Sequence, residues 1–255
     1  PVISRLAPVV TWSSLNVCSA EHHLAAPRFV TNLPVTTYSL SSTNGLLALA
    51  IGSRDATWNG EEVHLGFDPQ MVDGQVIVNG LDLQKNFLPL LCDPPLTFGT
   101  NPVIVIDPGH GGSNVGTHSL LDGRFEKEFT LDWARRLAPL LAAEGWHVYL
   151  TRTNDMDMAL SNRVSFAEAR HADLFISLHF NSAAPDTRQA GLETYCLTPT
   201  GMPSSLTRGY DDIWSQHYPN NDYDAQNLRL AVRLQGALLQ ATGENDRGVR
   251  RARFI

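Results

Sequence analysis

Apolar positions follow two different rhythms along this chain, and the change falls near residue 100. Up to about Phe98, short apolar stretches are broken by Pro, Gly, Asn and Ser, the pattern of short β-strands between turns. Residues 46–52 and 56–58 lead to Asn59-Gly60 and then to 61–65, so the last two runs flank a dipeptide suited to a type I′ hairpin. Residues 72–78 repeat the device with Asp73-Gly74. The stretch 92–102 is dense in Pro, Asp, Gly and Asn and reads as a linker. The expected division is therefore a β-rich module over 1–98 and a second domain over 99–255.

Beyond the linker, strand-like and helix-like patterns alternate. Residues 103–106 form a β-branched run, 128–144 a helix, 148–151 a strand, 159–170 a helix and 174–178 a strand. A further strand is expected over 192–197 and a helix over 224–242, with Leu228, Ala231, Leu234 and Leu238 on one stripe. In the first helix Phe129, Trp133, Leu137, Leu140 and Leu141 make a stripe that faces a sheet, Pro139 is expected to kink it, and Gly145 to end it. The alternation predicts an α/β fold with a mostly parallel sheet flanked by helices, beside the smaller β-rich domain. Ligands of such sheets gather beyond the carboxyl ends of the strands.

The net charge of -7, without a Lys or Arg cluster, argues against a nucleic acid or an anionic membrane surface as partner. Three widely spaced cysteines, Cys18, Cys92 and Cys196, give neither a disulfide framework nor a cysteine zinc site. No apolar run approaches the roughly 18 to 20 residues of a membrane span. Because the chain starts at Pro1, it is expected to be a processed or excised product whose export signal lies outside the numbering.

Two histidines directly follow strands: His110 in Asp107-Pro108-Gly109-His110-Gly111-Gly112, and His179 in Ser177-Leu178-His179-Phe180-Asn181. Glu126 precedes the first helix. Two imidazoles and one carboxylate make a three-donor zinc set that leaves a fourth position for water. Taken singly, each histidine is more often a surface or satisfied core group, and Glu126 and Glu128 equally suit the positive end of a helix dipole. The Gly-rich loop lacks the ending of a P-loop and does not match G-x-G-x-x-G. Arg152 and Arg163 are expected in ion pairs with Asp155, Asp157 or Asp173. His22, His23 and His64 show no ligand spacing and read as solvent-exposed. The polar stretch 198–227, with Tyr210, Asp211, Trp214 and His217, reads as surface packing or a groove wall, with an added metal-ligand role for His217 the least favoured.

Residues 103–255 resemble the N-acetylmuramoyl-L-alanine amidase family of zinc hydrolases. The resemblance rests on 103–112, Glu126-Lys127, Thr151-Arg152, 177–181 and Asp246-Arg247-Gly248-Val249-Arg250, in that order. It implies one zinc held by His110, Glu126 and His179, with Glu126 preferred to Glu128 because Lys127 follows it. It also implies hydrolysis of the bond between N-acetylmuramic acid and L-alanine in peptidoglycan, at a periplasmic or extracellular location. The family's general-base glutamate lies on a strand downstream of the Asp-Arg-Gly-Val segment, beyond Ile255. No residue here is therefore given that role, and the expectation is a C-terminally truncated domain that binds zinc without turnover. Residues 1–98 are similar, through Ile51-Gly52-Ser53-Arg54, Trp58-Asn59-Gly60 and Val72-Asp73-Gly74, to stalk modules of wall hydrolases that share a fold with the N-terminal domain of copper amine oxidases. That likeness implies a spacer or wall-binding role, and nothing there suggests copper. The competing expectations are a non-catalytic wall-binding protein and a zinc deacylase acting on another amide, such as an acetylated sugar.

Overall fold

A computed structural model describes residues 12–30, 37–182, 189–206 and 212–253. The chain is of the α/β class and groups into two compact units, Pro1–Leu96 with Ala190–Phe254, and Thr97–Gln189. The first cut falls inside the expected linker. The second divides the stretch expected as one domain from 99 to 255.

In chain order the elements begin with β1 (Trp12–Ser14), α1 (Leu15–Glu21), β2 (Arg28–Val30), β3 (Thr37–Ser41), β4 (Leu46–Ala50), β5 (Asp55–Trp58) and β6 (Glu61–His64). They continue with β7 (Gln70–Val72), β8 (Gln75–Asn79), α2 (Gly80–Asp82), a π-turn (Leu83–Phe87) and α3 (Leu88–Leu91). The second unit holds β9 (Val103–Pro108), α4 (Glu126–Ala143), β10 (His147–Leu150), α5 (Leu160–Glu168) and β11 (Leu174–Leu178). The chain then supplies β12 (Leu192–Leu197), a 3₁₀ turn (Pro219–Tyr223), α6 (Asp224–Thr242) and β13 (Asp246–Ala252).

The expected hairpins form for the expected reason. Asn59 and Gly60 have φ of 53° and 94°, and Asp73 and Gly74 of 48° and 75°, the left-handed pair that a type I′ turn requires. β5 and β6 then pair antiparallel in a seven-stranded sheet of order β12-β13-β6-β5-β4-β3-β2, while β1, β8 and β7 make a separate three-stranded sheet. β12 and β13 run parallel, and β13 joins β6 in parallel through one register pair, Val249 with Val63. The expected α6 stripe is core only in its first half: Leu228 and Ala231, with Val232 beside them, are buried in one cluster with Leu47, Leu49, Val63, Phe87 and Val249, whereas Leu234 and Leu238 are only half-buried and outside that cluster. That shared core is the physical reason residues 190–254 group with the N-terminal strands.

Asp82 is almost fully buried there, accepting from the Gly66 and Phe67 amides at 2.8 and 2.9 Å and from Asn86 Nδ2 at 2.6 Å. Burial outweighs these donors and pushes its carboxyl from 3.8 up to about 6. The folded chain therefore holds this proton more tightly than the unfolded chain. The stabilisation is complete below about pH 4 and is lost as pH rises through 6, a swing of about 3 kcal/mol. Asp82→Asn should flatten this part of the pH slope in urea unfolding. An unchanged slope between pH 4 and 6 would remove Asp82 from the account.

In the second unit β9 is the central strand, parallel to β10 on one side and β11 on the other. Ile104 and Ile106 are buried with Ala134 and Leu178, and Trp133, Leu137 and Leu141 of α4 pack against them. Leu140, expected on that stripe, is instead exposed. α4 begins two residues earlier than expected, at Glu126, and Glu128 Oε1 accepts the Phe125 amide at 3.3 Å. Among the described residues no helix is long and apolar enough to cross a membrane.

Candidate metal centre

The register of β11 on β9 pairs Ser177 with Asp107 and Leu178 with Pro108, so the two strands end side by side and each delivers a histidine within two residues. Asp107 fixes this edge. Its buried carboxylate takes Thr151 Oγ1 and Arg163 Nη1 at 2.5 Å and Ser177 Oγ at 2.7 Å, tying β9, β11, α5 and the end of β10 together. Arg163 also reaches the Pro108 carbonyl at 3.1 Å and the His110 carbonyl at 2.7 Å. The latter holds His110 at a φ of 61°, an uncommon backbone for a non-glycine residue.

His110 Nδ1 lies 2.9 Å from Asn114 Oδ1. An amide oxygen accepts, so Nδ1 carries the proton and Nε2 presents its lone pair. That Nε2 is 3.1 Å from Glu126 Oε1, and His179 Nδ1 is 3.0 Å from the same oxygen. The two rings stand 4.8 Å apart at 80°. Glu126 is the first residue of α4 and is buried. Its Oε1 accepts the Phe180 amide at 2.8 Å and its Oε2 the Thr117 amide at 3.1 Å. Burial pushes this carboxyl up, but the His179 hydrogen bond and the Phe180 and Thr117 amides outweigh it and hold it at about 2.

One donor atom from each of these side chains lies within 4.8 Å of the other two. Tetrahedral zinc with bonds of 2.0–2.1 Å needs donors roughly 3.3 Å apart, so the separations of 3.0 and 3.1 Å suit an ion of that size. The backbone closes in behind the set. A Cβ on Gly109 would stand 2.3 Å from the His179 ring, and one on Gly116 would stand 2.7 Å from Glu126 Oε2. These glycines are the reason the imidazoles and the carboxylate can meet.

The arginines depart from the expected pairing. Arg163 pairs with Asp107, and among the described residues Arg152 hydrogen-bonds to no aspartate but binds the Pro108, Gly109 and Lys127 carbonyls at 2.9, 2.9 and 2.8 Å. Their guanidinium groups, carried by the segment after β10 and by α5, reach the carbonyls of the segments that carry His110 and Glu126. Asp155 instead takes Lys127 at 2.7 Å, Asp157 takes Ser113, and Asp173 takes the Val103 amide. Asn114, Gly116 and Thr117 were not singled out from the sequence, because they act through ring orientation and backbone, which leave no residue-type signature.

Three other expectations resolve as follows. His64 is not solvent-exposed: its side chain is 14% accessible, with Nδ1 2.8 Å from Asp55 and Nε2 3.0 Å from Glu62. Strand pairing, not sequence spacing, makes this second His and carboxylate set, and the Arg250 guanidinium 4.0 Å from Glu62 is a fixed cation competing for the same oxygen. His217 faces Asp222 at 3.6 Å and joins neither set. In the same stretch Tyr210 and Asp211 lie outside the described residues, Trp214 packs edge-on against Phe67, and Asp212 pairs with Arg253.

The model of the family described as N-acetylmuramoyl-L-alanine amidase matches residues 104–255. The chain belongs to this family. Among curated relatives of this amidase-family chain, the N-acetylmuramoyl-L-alanine amidase AmiC of Escherichia coli is 33% identical over 163 residues, covering 56% of this chain and 39% of the relative. LytC of Bacillus subtilis, also an N-acetylmuramoyl-L-alanine amidase, is 36% identical over 158 residues, covering 60% and 27%. The chain thus spans well under half the length of these relatives. Among solved structures, the amidase AmiC2 of Nostoc punctiforme is 31% identical with a TM-score of 0.47, covering 60% of this chain and 71% of that one.

For the amidase-family chain, Asn114→Ala should weaken metal affinity by about 10- to 100-fold, since it frees the ring that points Nε2 at Glu126. Competition against a chromophoric chelator measures this, and an unchanged affinity would show that Asn114 does not orient the ring.

Proposed function

We propose that this chain carries a zinc-dependent N-acetylmuramoyl-L-alanine amidase domain over residues 99–255, which hydrolyses the amide between the lactyl group of N-acetylmuramic acid and L-alanine in peptidoglycan. The observation that carries the reading is the convergence of His110 Nε2, His179 Nδ1 and the Glu126 carboxylate. Family membership supports the reaction class. Two neutral imidazoles and one carboxylate form the donor set of a catalytic zinc, which leaves a position for water. When bound, zinc acidifies that water and polarises the carbonyl.

The chain's own groups do the rest by position. Glu126, ionised with both oxygens engaged, is suited to be a ligand and unsuited to shuttle protons near neutrality. Hydrolysis adds water to the lactyl carbonyl carbon, breaks the C–N bond and leaves the proton on the alanine nitrogen. Residues 1–98 fit a stalk or wall-associated module, and the location that suits the substrate is periplasmic or extracellular.

The test is product analysis. The protein carrying this chain, given zinc and purified cell wall, should release stem peptides with a new alanine amino terminus. Chelation should abolish release, and zinc should restore it. Free acetate as the product would transfer the reading to a deacylase, and wall retention without products would transfer it to a binding module.

A further inference from the structure

Phe180 immediately follows His179, and its backbone amide is fixed by the hydrogen bond to Glu126 Oε1. Its ring lies 5.9 Å from Phe129 and 5.7 Å from Trp133, tilted at 60° and 51°. Aromatic contacts of this geometry hold a ring firmly. Phe180 is nevertheless 44% exposed, which burial in the core does not explain. A single exposed aromatic is unremarkable. This one stands beside the metal set on a base of two further rings.

Glu126, Phe129 and Trp133 occupy positions i, i+3 and i+7 of α4 and so share one helix face. The ledge they support extends about 10 Å from the metal-binding carboxylate, room for one or two sugar rings. At its edge the Arg124 guanidinium lies 4.2 Å above Phe129 and is oriented by Asp122 at 2.7 Å.

We propose that Phe180, braced by Phe129 and Trp133, is the platform on which a pyranose ring of the muramoyl substrate lies, and so a specificity-determining residue of the site. The inference rests on the amidase reading. A pyranose presents a flat C–H face that matches an aromatic ring, while its rim of hydroxyl and N-acetyl oxygens suits the remaining donors of Arg124. The stem peptide, rich in amide and carboxylate groups, gains little from an apolar ring. A sugar on the ledge leaves its lactyl arm to carry the scissile amide toward His110, Glu126 and His179.

The experiment is saturation-transfer NMR on the zinc-loaded chain with N-acetylmuramoyl-L-alanyl-D-isoglutamine. The expected result is strongest saturation on the sugar ring and N-acetyl protons. Phe180→Ala should weaken binding by about fivefold or more, with zinc stoichiometry intact, while Phe180→Trp keeps both binding and the saturation pattern. Saturation centred on the peptide protons, or Phe180→Ala binding like wild type, overturns the platform while leaving the amidase reading standing if stem peptides are still released. If neither this ligand nor purified wall binds, both fail together.

Discussion

Replacing His110 with alanine should weaken zinc binding at least about 100-fold, so that the chain loses its metal to a competing chelator that leaves wild type loaded. Zinc sites bind with roughly 10 to 16 kcal/mol, so each of about four donors contributes some 3 kcal/mol, and one lost donor weakens binding at least about 100-fold. His179→Ala should behave alike, since both ring nitrogens face the same Glu126 oxygen. Glu128→Ala should leave zinc untouched, because that carboxylate is turned to the Phe125 amide at 3.3 Å. Metal analysis after dialysis against that chelator, with circular dichroism to confirm folding, decides the matter. Full zinc retention in both histidine variants would end the metal-centre assignment.

Arg163→Ala should be the most damaging substitution outside the donor set. It leaves the buried Asp107 carboxylate with hydroxyl partners only and frees the Pro108 and His110 carbonyls. Stranding one partner of a buried ion pair costs about 3–5 kcal/mol, a large share of a typical folding free energy. Zinc affinity should fall as well, because Arg163 restrains the backbone of His110. Urea unfolding measures the first effect and chelator competition the second. A loss below about 1 kcal/mol would mean that Asp107 is neutralised by other means.

The site was legible in the sequence because it is local to strand ends. His110 and His179 each follow an apolar run, and Glu126 opens a helix whose stripe of Trp133, Leu137 and Leu141 is plain. The resemblance chose between Glu126 and Glu128, and hydrogen bonding gives the physical reason. What could not be read is what depends on distant partners. The pairing of β13 with β6 joins residues 186 positions apart at Val249 and Val63, and no local period encodes it. The helical run from Gly80 to Leu91 escaped notice because it is short, contains Pro89 and changes geometry midway. Arg152 and Arg163 were assigned to nearby acids, when the loops needed them for carbonyls. His64 looked solitary because its partner Asp55 sits across a hairpin, where sequence spacing has no meaning.

That single rung between β13 and β6 means the seven strands need not behave as one fabric. A run of antiparallel rungs joins β2 through β6, and another ladder joins β12 to β13, but the backbone pairing between the two is the single pair Val249 with Val63, beside the Glu62 amide on Asp246 Oδ2 at 2.7 Å, the Glu62–Arg250 ion pair and the shared core. Under slow hydrogen–deuterium exchange, amides along this seam should surrender their protons ahead of their neighbours, so that the cloth parts first along its one loose thread.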